Sequence, residues 1–449
     1  MFAYGIGISQ PRLEEIRQRL KQGQLNALRE LLPDRLIERV CCETGHRYRE
    51  RLLPPLVMVF HYLAAALWPE DSFNAAAQSS GLPVSSGTLS KARQRLPQAV
   101  LDRLGSHTSQ LAQTFSDEAA RSRGFRLVSI DGTCVSMSDQ PALRTAFGLA
   151  NSKHGPSRYP AARLVVAMLA QTGVVLDHRL GPYRTSEQTL GLDLLTALRP
   201  GDLLLADAHF AGSNLYFCYL QQGLDFITPV HQRLKVDRLR HLRDFADRSF
   251  VAEVPIWKVQ RRKYPFLPES LTLRFVPVRL RSRRGRPMTW LVTSLLDGRR
   301  YSAELIRQWY SRRWPVETII GQIKQPLSAN VLRSKTVDGI HKELAAKIMA
   351  LNLVRCLMLQ AASRHQRQPD RLSFALAQRL AVTYSLRMSQ APVGCLRSLH
   401  DEMLDAMARS IVPYRPGRVE PRAIRREPRH YERLKISRRD WRLQHASAP

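Results

Sequence analysis

The sequence predicts an α/β fold with helical flanks, on three observations: β-rich segments in the middle of the chain, helical periodicity on either side, and a second block of strand-like pieces after residue 230. FRLVSI (residues 125–130), RLVVAMLA (163–170) and VVLDHRL (174–180) read as strands. Residues 187–198 carry leucines at helical spacing and stop at Pro200 and Gly201. DLLLAD (202–207) is then a short, unbroken apolar run of the kind buried on both faces of a sheet. A helix over SNLYFCYLQQG and a strand over LDFITPV (224–230) follow. Three strands, helix, strand, helix, strand is the order of a ribonuclease H-like sheet, in which three antiparallel strands are extended by parallel ones.

From Pro11 to about Phe115 the pattern is helical. Residues 52–69 (LLPPLVMVFHYLAAALWP) open with a proline pair and contain His61, which leaves too short an apolar segment for a bilayer span and predicts a buried helix. In SFNAAAQSSGLPVSSGTLSKARQRLP an alanine-rich helix meets a Gly81-Leu82-Pro83 turn, and Ser85 or Ser86 caps a second helix carrying Lys91, Arg93 and Arg95. This pattern reads as a helix-turn-helix or as an ordinary helical hairpin with a solvated basic face. Residues 231–297 hold FVAEVPIWKVQ, LTLRFVPVRL and TWLVTSL, separated by basic turns, and predict a β-rich insertion. Helical patterning resumes at Ser302. The tail from Tyr414 has eleven Lys and Arg against four Asp and Glu and predicts an extended basic arm. The organisation expected is a helical N-terminal domain (1–118), a core in two parts (119–230 and 299–362) around the insertion (231–298), and a helical C-terminal region with its basic tail (363–449).

The chain has 449 residues, with 69 Lys and Arg against 38 Asp and Glu, a formal net charge of +31. Hydrophobic residues at 44% and charged residues at 24% are a globular balance, so the excess charge decorates folded surfaces and predicts a polyanionic partner. Six cysteines without a CxxC spacing argue against zinc and redox sites and for a reducing compartment. Thirteen histidines without an HExxH pattern argue against zinc catalysis. The N-terminus has no basic region ahead of an apolar core, so no secretion signal is expected. No membrane partner is expected, since no Lys-rich amphipathic segment has an aromatic face.

Asp131 and Asp207 each follow an apolar strand, at the same end of neighbouring strands in the expected sheet. Paired carboxylates at such an edge suit Mg²⁺, which takes oxygen ligands; taken singly, each reads as a structural turn or cap former. In YSRRWPVETIIGQIKQ, Tyr310, Arg313, Glu317 and Lys324 gather within roughly a 60° arc at about 100° per residue, so one helix face carries phenol, guanidinium, carboxylate and ammonium. Such a face is either a metal and phosphate site or a solvated row of charge pairs. Pro315 removes an N–H and kinks or restarts the helix there.

Asp131 in SIDGT, Asp207 in LLLADAHF and the Tyr310, Arg313, Glu317, Lys324 series resemble the DDE transposases of the bacterial insertion sequence four family, with its Y-(2)-R-(3)-E-(6)-K spacing. The resemblance spans essentially the whole chain. It implies a ribonuclease H-like core interrupted by a β-rich insertion, with helical N- and C-terminal parts that bind DNA and partner subunits. It also implies that Asp131, Asp207 and Glu317 hold Mg²⁺, with Mn²⁺ as substitute, and that Tyr310, Arg313 and Lys324 contact transposon-end phosphates. Trp290 and Trp314 match aromatics that stabilise a flipped base, and read equally as core packing. Glu187 in TSEQ resembles a recurrent family acid that assists the metal site or pairs with Arg. Ala208-His209-Phe210 and Pro229-Val230-His231 depart from the family where Arg-Gly-Tyr and a later Arg are usual, which touches DNA contacts and not the triad.

The implied reaction is two-metal phosphoryl transfer in double-stranded DNA: cut-and-paste transposition through a hairpin, on terminal inverted repeats and target DNA, by a homodimer on DNA. A cytoplasmic, nucleoid-associated bacterial location goes with it. Lys258, Arg261, Arg262, Lys263 and the cluster over 281–286 would screen phosphates. The rival readings are a catalytically inactive transposase-derived DNA-binding regulator and an unspecific ribonuclease H-type nuclease.

Overall fold

The computed structural model describes residues 25–49, 51–68, 73–75, 84–117, 119–152, 155–231, 233–281, 287–313, 315–413 and 436–445. The Gly81-Leu82-Pro83 turn, Trp314, the basic run over 282–286 and most of the tail from Tyr414 lie outside them.

In chain order the principal elements begin with α1 (Asp34–Glu43), α2 (Pro55–Leu67), α3 (Ser86–Arg95) and α4 (Gln98–Ser116). Then come β1 (Phe125–Met137), β2 (Gly155–Leu169), β3 (Val175–Pro182), α5 (Glu187–Leu194), β4 (Asp202–Ala206), α6 (Ser213–Gln221) and β5 (Asp225–Pro229). The next block is β6 (Arg240–Asp244), β7 (Phe250–Pro255), α7 (Lys258–Lys263), β8 (Ser270–Arg281) and β9 (Pro287–Thr293). The chain continues through α8 (Ala303–Ser311), α9 (Pro315–Lys324), β10 (Val331–Leu332), α10 (Val337–Arg364), α11 (Phe374–Gln390), α12 (Leu396–Arg409) and α13 (Arg438–His445).

The architecture is mixed α/β, a large sheet with flanking helices. β3, β2 and β1 run antiparallel, and β4 and β5 add in parallel beside β1. The expected order of these five strands is therefore present. β9 pairs antiparallel with β5, so the strands of the 231–298 segment continue the same sheet through β8, β7 and β6. β1 outruns its sequence signal: FRLVSI was expected to end the strand, but it continues to Met137. Its second half, GTCVSM, is held by β2 on one side and by β10 beside Ser136 and Met137 on the other.

Alternation along β4 divides the core. Leu204 and Ala206 join the cluster that includes α2, α4 and α10, whereas Leu203 and Leu205 face a second cluster with Ile306, Trp309 and Tyr310 of α8. One bidentate ion pair locks the register of β1 on β4. Arg126 Nε and Nη2 donate to Asp202 at 2.8 and 2.6 Å, both side chains are buried, and Arg126 Nη1 donates to Gln113 of α4.

α2 is buried along nearly its whole length, as its composition predicts, with a proline in its first turn where no N–H is needed. α10 is long and apolar enough to cross a membrane by length and composition, and 94% of its most apolar window is buried inside the protein. Ser85 caps α3, its Oγ accepting from the Thr88 amide. The three cations of α3 do not share one solvated face. Lys91 and Arg95 are exposed, but Arg93 turns inward, its guanidinium 4.2 Å from the Phe73 ring and donating to Ser334 Oγ at 2.9 Å. In the tail, α13 replaces part of the expected extended arm, because Ser437 accepts from the Asp440 amide and starts a helical turn.

Candidate active site

Two features of the fold bring distant residues to one edge of the sheet. The first is the β1–β4 register: Ile130 lies opposite Ala206 in parallel, so Asp131, within β1, and Asp207, just past the end of β4, come side by side. Asp131 Oδ1 accepts from the Gly132 amide at 2.8 Å, and Asp207 Oδ1 accepts from the His209 amide at 2.8 Å, where it caps a short turn.

The second is the break between α8 and α9. Tyr310 belongs to the cluster on one face of the sheet, and Val316, Ile319, Ile320 and Ile323 belong to the cluster on the other. α8 and α9 therefore pack on opposite faces of the sheet, and Pro315 opens the second of them. Arg313, 7% exposed, is carried to the sheet edge that bears Asp131. Its Nη1 lies 4.0 Å from Asp131 Oδ2 and its Nη2 lies 3.5 Å from Glu317 Oε1, so the guanidinium bridges the two acids.

The electrostatics register the same convergence. Burial, then the Asp207 and Glu317 charges, push Asp131 up to about 6, while the Gly132 amide and Arg313 oppose them. Burial pushes Tyr310 up to about 12, with Arg313 opposing and the Asp207 and Asp131 charges adding to it. Arg313 holds its proton more tightly than usual: burial opposes this, but Tyr310, Asp131, Asp207 and Glu317 outweigh it. Among the described residues no three His, Cys, Asp or Glu side chains form a ready metal-holding group. The donor chemistry nonetheless fits a hard divalent cation: the Asp207 and Glu317 charges reach Asp131, and all three acids act on the Arg313 guanidinium as their counter-ion.

The remaining residues singled out from the sequence take different places. Tyr310 is buried against the α8 face, its ring 5.9 Å from the Arg313 guanidinium. Lys324 ends α9, within electrostatic range of Cys134 on β1. Trp290 is half-buried in β9 with its ring edge-on to Phe250 at 5.2 Å. Glu187, for which two readings were open, opens α5 and lies at the site. Its Oε1 is 2.6 Å from Arg163, its Oε2 is 3.9 Å from His209 Nε2, and a Cβ on Gly132 would meet its carboxyl carbon at 2.6 Å. Gln188 donates to the His209 carbonyl at 2.6 Å, so α5 braces the turn after Asp207. Arg163, Gln188 and Gly132 were not anticipated as site residues; the SIDGT glycine was the one signal that pointed to a close approach.

A sheet edge with two strand-borne aspartates and a helix-borne glutamate defines a class, and comparison with known proteins gives it a family. Residues 122–353 match the model described as transposase DDE domain, and the chain belongs to that family. Residues 22–105 match the insertion element 4 transposase N-terminal family. The chain is similar to the transposase InsG for insertion sequence element IS4 of Escherichia coli (strain K12), 25% identical over 420 residues, covering 91% of this chain and 93% of the relative. It is also similar to the probable transposase for insertion sequence element IS5377 of Geobacillus stearothermophilus, 23% identical over 340 residues, covering 74% and 84%. Among solved structures, a piggyBac transposase synaptic complex with hairpin DNA aligns with a TM-score of 0.43 at 11% identity, covering 88% of this chain and 86% of that one.

Proposed function

We propose that this transposase cleaves double-stranded DNA at its own terminal inverted repeats and joins the released ends to target DNA, with Asp131, Asp207 and Glu317 as the metal-binding triad. The observation that carries the proposal is the convergence at Asp131, where two further carboxylates and one buried arginine act on a single oxygen-rich edge. The strand order β3-β2-β1-β4-β5 supports a ribonuclease H-like core, divided at 119–230 and 299–362 by the 231–298 insertion. Mg²⁺, or Mn²⁺ in its place, would be held by the three acids and would activate the attacking oxygen and neutralise the leaving one.

The chain's own residues do the rest. Arg313 neutralises the acids in the free protein and turns its fork to a scissile phosphate when DNA enters, a guanidinium being suited to either anion. Tyr310 keeps its proton and stays a donor. Lys324 lies further along α9 and screens a neighbouring phosphate. Glu187 and Gln188 keep the Asp207 turn in position. Water nicks each end, and the freed 3′-hydroxyl attacks the opposite strand and closes a hairpin. A second water hydrolyses the hairpin to regenerate the 3′-hydroxyl. That hydroxyl attacks a target phosphodiester and displaces the target's 3′-oxygen, with two protomers holding two ends.

The test is cleavage of a labelled duplex bearing the inverted repeat from the flanks of the gene, with Mg²⁺. Wild type is expected to nick and then form a hairpin, and Asp131→Asn, Asp207→Asn and Glu317→Gln to bind without cutting. Undiminished cutting by any of the three overturns the triad. The Arg313 bridge favours one second reading, a DNA-binding regulator without catalysis. Wild-type protein that binds the repeat and never cuts it with Mg²⁺ or Mn²⁺ establishes that reading instead.

A further inference from the structure

We infer that residues 256–269, the excursion between β7 and β8, form a wedge that inserts apolar side chains into duplex DNA beside the Asp207 turn. The inference rests on the reading of this chain as a DNA-cleaving transposase. β7 and β8 remain paired up to Pro255 and Ser270, where a short hairpin would close them. The chain instead makes an ordered detour. Its base is shut by the Ile256 amide donating to the Glu269 carbonyl at 2.8 Å, and Ile256 and Leu267 are buried beneath it.

Having spent those two residues on anchoring, the excursion leaves its other large apolar side chains in solvent. Trp257 is 51%, Val259 74% and Phe266 67% exposed, and Tyr264 is exposed beside them. The Tyr264 and Phe266 rings are 5.9 Å apart, Phe266 lies 6.1 Å from Phe217 of α6, and exposed apolar side chains in one short excursion mark a contact site. Lys258 and Arg262 are exposed among them, and Arg261 leans on Glu269 at 2.9 Å. The one acid is outnumbered, and the chain as a whole carries +31, so a second copy would bring like charge to this surface. Duplex DNA brings what the surface lacks: phosphates for the cations and base faces for the rings.

The position of the excursion is fixed with respect to the active-site edge. Gln260 donates to Asn214 Oδ1 at 3.3 Å and accepts from Ser213 Oγ at 3.4 Å, and these two residues open α6, directly after the turn that begins at Asp207. DNA seated at the acidic edge would therefore pass the wedge. Side chains pushed between base steps unstack and kink a duplex, which is the mode the exposed indole and phenyl rings fit.

The experiment uses the full chain with two end-labelled duplexes, one bearing the terminal repeat and one of unrelated sequence, read by equilibrium binding across a salt series and by end-to-end energy transfer for bending. Trp257→Ala with Phe266→Ala is expected to weaken binding about 5- to 150-fold and to abolish bending, with the salt dependence unchanged. Trp257→Phe keeps a ring and is expected to restore both. Lys258→Ala and Arg262→Ala are each expected to lower the slope of log affinity against log salt by about 0.9. Loss on the repeat duplex alone assigns the wedge to the transposon end, and loss on both assigns it to any duplex, target included. Unchanged binding and bending in the double variant overturns the proposal, as does a change in its oligomeric state with DNA binding intact. Binding and bending are read without metal, so a wild type that bends DNA but never cuts it counts against the catalytic reading and leaves the wedge standing.

Discussion

At Asp131, burial and the neighbouring Asp207 and Glu317 charges raise the acid from 3.8 to about 6, against the Gly132 amide and Arg313. An acid whose folded value lies above its unfolded one binds more protons folded than unfolded between the two. Its ionisation therefore weakens the fold progressively as pH rises from 3.8 to about 6, and the full penalty is present above that. Asp131→Asn keeps an oxygen for the Gly132 amide and removes the charge. The variant is expected to melt several degrees above wild type at neutral pH, to match it near pH 4, and to lose cleavage. Thermal unfolding at the two pH values checks this, and a variant that melts below wild type at neutral pH refutes it. Under the proposed role of Asp131, stability is set aside for chemistry. The same residue shows what a sequence can carry. Asp131 and Asp207 were legible because each follows an apolar run, a local signal. The contacts of Glu187 with Arg163 and Gly132 were not, because they join residues from three elements and leave no periodic trace in any one of them.

Among the elements, the parallel pair β1 and β4 matters most, because its register decides whether two aspartates meet. Arg126 and Asp202 are partners at one end of this pair, and Asp131 and Asp207 lie just past it at the other. A slip of one residue would turn every side chain of β4 to the opposite face. Asp202→Asn leaves Arg126 buried beside a neutral amide and is expected to cost about 3–5 kcal/mol, the usual effect of breaking a buried pair from one side. Denaturant unfolding followed by far-UV circular dichroism measures it. A shift below about 1 kcal/mol would mean that the pair does not hold the register, since that is the range of an exposed pair. The strands of this core were readable from branched and apolar density. The length of β1 was not, because GTCVSM is small and mixed in character and is made a strand by β2 and β10, which are remote in sequence. The helix break before Pro315 was readable in principle from the ring's missing N–H, but what it accomplishes, a crossing from one face of the sheet to the other, depends on the sheet being there.

For the whole molecule, the governing quantity is a formal net charge of +31. Several cations are already committed inside the fold and do not reach a ligand. Arg126 is paired with Asp202, and Arg274 is fully buried with Ser249, Asp247 and the Tyr301 carbonyl. Arg93, which the sequence puts on either a helix-turn-helix or a solvated basic face, is spent on Phe73 and Ser334. The net excess of 69 Lys and Arg over 38 Asp and Glu is repaid by a duplex chiefly through released counterions. Binding to a duplex of unrelated sequence is therefore expected to fall linearly in log affinity against log salt. With six to ten phosphates contacted, the loss between 50 and 200 mM salt would be about 10³- to 10⁵-fold. Equilibrium titration of a fluorescent duplex over that range measures the slope. A slope near zero would mean that the excess charge faces something other than a nucleic acid. A steep slope that becomes shallower when Lys258 and Arg262 are removed would locate part of that charge at the wedge.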